Sequence, residues 1–145
     1  MVIVAAIDPD EHATSVIDEA LSLSMAFDDP VHVVHVMAES EANERRRATA
    51  NQEGGPIDDI DEQNIAARAA EDVVGDRSDQ LECVGLVGEP STEIVEYAGD
   101  VDARYVVIGP RKKSPTGKAI FGSVAQQVLL NSPAPTVSVI DEQDA

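Results

Sequence analysis

Residues 104–123 read RYVVIGPRKKSPTGKAIFGS. An apolar run, Tyr105-Val106-Val107-Ile108, stops at Gly109. A basic loop follows, and Gly122-Ser123 then opens a segment, Val124 to Leu130, whose apolar residues recur at helical spacing. A strand, a glycine, a loop and a helix start in this order turn backbone N–H groups and the positive end of a helix dipole toward an anion. The charge pattern sharpens that reading. The chain carries 10 Lys and Arg against 28 Asp and Glu, yet Arg111 and all of its lysines, Lys112, Lys113 and Lys118, fall in this one loop. Basic residues in a surface loop can also balance local carboxylates, with the glycines as turn formers. A cluster this isolated in so acidic a chain points instead to phosphate.

The rest of the chain falls into alternating elements. Val2 to Ile7 is continuously apolar and closes at Asp8-Pro9-Asp10, the pattern of a strand buried on both faces. A helix begins at Asp10 or within Glu11 to Thr14, carries an apolar stripe through Val16, Ile17, Ala20 and Leu21, and breaks at Asp28-Asp29-Pro30. Val31 to Met37 is the second strand. Residues 39–60 turn polar and read as a mobile excursion with a frayed helix near Glu41 to Ala50; its Arg45-Arg46-Arg47 triplet could contact a ligand or a partner, but reads rather as an exposed, partly helical segment paired with nearby acids. A helix over 61–74, a strand over Leu81 to Val87, a helix capped by Ser91, and a strand over Arg104 to Ile108 follow. The helix from Gly122 to Asn131 leads to a last strand, Thr136 to Ile140, and an acidic tail, 141–145.

This β-α alternation predicts one α/β domain over residues 1–145, with a five-stranded parallel sheet and helices on both faces. Ligands bind such sheets at the carboxyl ends of strands, beside the point where strand order reverses. The first and fourth strands end in Asp8 and Gly109, so Asp8 is expected near the basic loop.

Composition narrows the partners. A formal charge of −18 repels nucleic acid and anionic membranes, so neither is an expected partner. High acidity with few lysines and no tryptophan resembles proteins adapted to a salty cytosol, where screening weakens self-repulsion. Cys83 stands alone in an apolar run, which excludes an internal disulfide and a multi-cysteine zinc site and reads as a buried, inert thiol. No basic leader and no membrane-length apolar run is seen, so a cytoplasmic protein is expected. His12 and His35 have no nucleophile or metal partner near them in sequence; His35 reads as a core or backbone-satisfied histidine, and no catalytic or metal-binding residue is assigned. Gly117-Lys118 lacks the spacing of a Walker motif.

Taken together, Ile3 to Asp8, Val34-His35-Val36, Gly88-Glu89-Pro90, the stretch from Gly109 to Ser123 and the C-terminal strand resemble the universal stress protein family over nearly the whole chain. That family's nucleotide motif is Gly, two residues, Gly, nine residues, Gly, then Ser or Thr. Here the spacing is kept, from Gly109 through Lys112 to Gly122-Ser123, with lysine at the second glycine. The resemblance implies a Rossmann-like sandwich, dimeric through the edge strand Thr136 to Ile140, that binds ATP with or without Mg²⁺. It implies adenine held by backbone at Val36 and the first strand's end (Ala6, Ile7), and ribose beside Asp8, Ile108 and Gly109. Phosphates would lie against the loop and the helix start, with Lys112, Lys113, Lys118, Gly122, Ser123, Val124 and Ala125. Lys112 spoils the cradle if the second glycine is needed for its φ or for open space, and otherwise adds a point charge to phosphate. The expected function is a stress-response module that binds ATP or a related adenine nucleotide with little or no turnover. The alternatives are an interaction module that takes no nucleotide and meets an acidic partner, and an enzyme of the wider adenine-nucleotide-binding class.

Overall fold

The computed structural model describes residues 1–9, 13–53, 62–109, 112–113, 119–120 and 122–140. Five strands, β1 (Val2–Ala6), β2 (Val31–Met37), β3 (Leu81–Val87), β4 (Ala103–Ile108) and β7 (Thr136–Ser138), form one parallel sheet in the order β3-β2-β1-β4-β7. Two further strands, β5 (Lys112–Lys113) and β6 (Ala119–Ile120), pair as a short antiparallel ribbon. The helices are α1 (Ala13–Phe27), α2 (Glu39–Glu53), α3 (Glu62–Val74), α4 (Pro90–Asp100) and α5 (Ser123–Asn131). None of the described helices is long and apolar enough to cross a membrane.

Side-chain alternation on the strands explains the two-sided core. Ile3, Ala5 and Ile7 of β1 and its extension, with Val31 and Val33 of β2, pack against Val16, Ile17 and Ala20 of α1 and Ala70 and Val74 of α3. The intervening Val4 and Val34, with Val106, pack the other way against Ile94 and Ala98 of α4 and Ala125 and Val128 of α5. Ile3, Val4, Val33, Val106 and Val107 are fully buried, each contributing about 1.5–3 kcal/mol of hydrophobic burial. Both faces being covered is why these strands read as unbroken apolar runs.

The polar stretch after β2 departs from expectation. In place of a frayed helix near Glu41 to Ala50, α2 runs unbroken from Glu39 to Glu53. Glu39 and Glu41 lie in its first turn, where the helix dipole favours them, and Glu41 pairs with Arg45 one turn on, at 3.4 Å. Ala42, fully buried, sets it into a small cluster with Met37, Ile65 and Ala66. The helix lacks an apolar stripe, so periodicity did not reveal it. The expected start of α1, the acidic cluster at 58–61 and the acidic tail lie outside the described residues. Cys83 is half-buried rather than buried, and burial raises its pKa, which disfavours the thiolate form.

At the amino end of the sheet, Asp29 is buried at 7% exposure and accepts a hydrogen bond from Arg104 Nε. The guanidinium also lies 4.6 Å from the centre of the Phe27 ring. The hydrogen bond and charge of Arg104 hold the Asp29 carboxyl below its ordinary 3.8, against the opposing effect of burial. A depressed carboxyl pKa stabilises the fold above the unfolded value and loses that contribution as pH falls through the folded one. The stability gap between the wild-type chain and Asp29→Asn is therefore expected to be full at neutral pH and to shrink below about pH 4, measured by urea unfolding across pH.

Gly85 of β3 marks a close approach. A Cβ there would stand 2.1 Å from the Gln63 carbonyl oxygen and 2.3 Å from the Ala67 amide nitrogen, both backbone atoms of α3. Gly85→Ala is expected to push α3 off the sheet and cost about 1–3 kcal/mol. Each kcal/mol lowers Tm by about 2–4 °C in a chain of this size. An unchanged melting temperature would contradict this contact.

Candidate functional site

Sheet order creates the site. The chain leaves β1 toward β2 on one side, while β4 lies on the other side of β1. The connections after β1 and β4 diverge, and a crevice opens at the carboxyl ends of the strands. A cavity of about 650 Å³ occupies it, within the range of small-molecule sites.

The cavity gathers most of the positions singled out in the sequence. Ala6, Ile7 and Asp8 line it from the end of β1, and Val36 from β2. Ile108 and Gly109 line it from β4, and Gly122, Ser123, Val124 and Ala125 from the start of α5. Asp8 thus shares the cavity wall with Gly109 and the α5 start, while most of the basic loop expected near it lies outside the described residues. Lys112 and Lys113 form β5, facing Ile120 and Ala119 of β6 in register. Part of the basic loop is therefore a β-ribbon, which two-residue strands cannot signal in sequence. Lys118 and Arg111 lie outside the described residues.

The helix starts α4 and α5 differ in a way that bears on anions. The cap of α4 is Glu89, whose Oε2 accepts from the Thr92 amide at 2.8 Å and from Ser91 Oγ at 2.7 Å. These hydrogen bonds, that from Ser91 foremost, hold the Glu89 carboxyl at about 2. Ser91, expected as the cap, instead lies within the first turn, where its hydroxyl serves the carboxylate that took its place. The cap of α5 is Gly122, which has no side chain to hydrogen-bond the helix start. Gly122 has φ −68°, so it is not required for backbone handedness; its missing side chain leaves room. Ser123 is the first helical residue rather than the cap.

Several lining residues were not chosen from sequence. His35 is buried at 8% exposure on the α1/α3 face of β2, and its ring hydrogen-bonds the Ile7 main chain. Its Nδ1 has no partner among the described residues. Burial lowers the imidazole pKa, opposed by the Ile7 hydrogen bond and the carboxylates of Asp8 and Glu41 and assisted by Arg45. The ring is neutral at pH 7, and its core placement and backbone hydrogen bond agree with the sequence reading of this histidine. Glu41 and Arg45 from α2 and Asp72 from α3 complete the charged lining. The arginine triplet in a chain poor in basic residues was the available signal for α2, but a stretch read as irregular gave its side chains no common face. Among the described residues, no three or more His, Cys, Asp or Glu are grouped to hold a metal.

Comparison with known proteins agrees with this architecture. A universal stress protein from Archaeoglobus fulgidus superposes with a TM-score of 0.65 at 32% identity, covering 95% of this chain and 97% of that one. The structure of the universal stress protein from Archaeoglobus fulgidus in complex with dAMP gives a TM-score of 0.61 at 27% identity, over 95% and 96% of the two chains. A universal stress protein of Mycolicibacterium smegmatis is 46% identical over 54 residues, which span 37% of this chain and 42% of that relative. The model of the universal stress protein family matches residues 1–139. On that match and this sheet, the chain belongs to the universal stress protein family.

Proposed function

We propose that the cavity binds ATP or a related adenine nucleotide, with or without Mg²⁺, and that the protein acts as a dimeric stress-response module with little or no turnover. The observation that carries this reading is the start of α5, whose cap residue is a glycine without a side chain and whose residues Gly122 to Ala125 line the cavity. Helix-start N–H groups without internal partners and a favourable dipole suit a phosphate. Asp8 is an acceptor for ribose hydroxyls beside Gly109. Ala6, Ile7 and Val36 offer backbone and apolar contact to the base, and Lys112, Lys113 and Lys118 supply positive charge to the phosphate end. The relative solved with dAMP supports an adenine nucleotide as the ligand class.

The second reading, an interaction module without nucleotide, is favoured by Lys112 standing at the motif's second glycine. Lys112 lies in an antiparallel strand, and extended backbone suits any L-residue, so lysine there brings no backbone strain. This favours retained anion binding. Calorimetric titration with ATP and Mg²⁺ in concentrated KCl is expected to give saturable binding, one nucleotide per chain. Gly122→Val, filling the space at the α5 start, is expected to weaken that affinity tenfold or more. Unchanged affinity in the variant would remove the phosphate site from α5, and no binding with an intact fold would favour the interaction module.

Dimerisation through β7 rests on its place at the sheet edge. The strand itself spans Thr136–Ser138, shorter than the expected Thr136 to Ile140, although the Val139 amide still bonds the Ile108 carbonyl at 2.8 Å. Leu129 and Leu130 on the preceding helix are exposed, as is Ile140 beyond the strand. An edge strand and exposed apolar side chains are both covered by pairing with a second copy. Light scattering at micromolar concentration is expected to give the mass of two chains; a single-chain mass would contradict the dimer.

A further inference from the structure

The cavity has a second end, built by α2 rather than by the motif. From β4 to β2 the sheet spans roughly 10 Å. A nucleotide with its phosphates at the α5 start therefore directs its base across β1 toward β2 and α2. The walls there are His35, Val36, Ala38, Glu41, Arg45 and Asp72. Glu41 and Arg45 are one helical turn apart, 3.4 Å from each other, and each is about half exposed, at 49% and 53%. They line the same cavity as Asp8 and the His35 ring. The ring itself is nine-tenths buried, neutral, and carries a nitrogen without a partner among the described residues. The base end thus combines a flat uncharged ring, a planar guanidinium and a carboxylate.

We infer that α2 reads the base: Arg45 lays its guanidinium over the face of the purine, and Glu41 accepts a hydrogen bond from the exocyclic amino group. The inference rests on the nucleotide reading above and adds the source of base preference. Arg45 suits stacking because its guanidinium is planar and weakly hydrated. The Glu41 pairing holds it in orientation. A carboxylate accepts from an amino group and repels a carbonyl oxygen, so a purine with an amino group at that position is preferred to one with a carbonyl. Both residues are half exposed on the helix surface, so their substitution leaves the core intact.

The test titrates the full-length chain with adenosine, ATP and ITP in high KCl, as wild type, Arg45→Ala, Arg45→Lys and Glu41→Gln. Arg45→Ala is expected to weaken adenosine and ATP alike, by about tenfold. Arg45→Lys, which keeps charge and loses the plane, behaves as Arg45→Ala. Glu41→Gln moves the ATP-to-ITP affinity ratio toward one. A loss confined to ATP, or rescued by lysine, makes Arg45 a phosphate ligand and overturns the inference; so do variants with wild-type affinities and an unchanged ATP-to-ITP ratio. Wild-type protein that takes up neither adenosine nor ATP overturns the nucleotide reading itself, an outcome distinct from wild-type binding with indifferent variants.

Discussion

The start of α5 is capped by Gly122, which offers the first-turn N–H groups no side chain, and it stands at the crevice between β1 and β4. The N–H groups of such a helix start are left for other side chains, water or a ligand to meet. Elsewhere the fold answers the same demand internally: α4 is closed by the Glu89 carboxylate, which also takes the Ser91 hydroxyl. The contrast gives the cavity its polarity. One helix start is consumed in holding the fold together, and the other faces a space of about 650 Å³. The sheet order then fixes what stands around it, since only the ends of β1 and β4 flank the reversal.

Opposite ends of the same sheet carry different work. The amino end is tied by buried Asp29 and the Arg104 side chain, itself laid over Phe27. The carboxyl end is left open, lined by glycines and charged groups that a tightly closed core would exclude. Gly85 keeps α3 against β3, and α3 in turn contributes Asp72 to the cavity wall. Packing away from the site thus sets where its charges stand.

Much of this was legible in the sequence because parallel strands covered on both faces announce themselves. Val31 to Met37 and Leu81 to Val87 were bounded correctly from unbroken apolar runs, and Asp8 and Gly109, singled out as strand ends beside the switch point, both line the cavity. Two kinds of feature were not legible. Helix α2 is polar on nearly every side and is held by Ala42 and by pairing along its surface, so a method that looks for apolar periodicity passes over it. Capping choices are also local contests: Ser91 is a good cap residue, yet the carboxylate two positions earlier wins by accepting from both the amide and the hydroxyl. The β5–β6 ribbon is too short to carry a pattern. What escaped the sequence reading was therefore the wall of the cavity supplied by α2: Glu41 was not singled out, and Arg45 was weighed as a ligand contact and set aside.

A high-resolution crystal structure of the protein grown with ATP and Mg²⁺ in concentrated KCl tests the account most directly. It should place phosphate oxygens within about 2.7–3.2 Å of the backbone N–H groups at the start of α5, with the ribose toward Asp8. A nucleotide bound elsewhere, or phosphates pointing away from Gly122 and Ser123 into solvent, would contradict it.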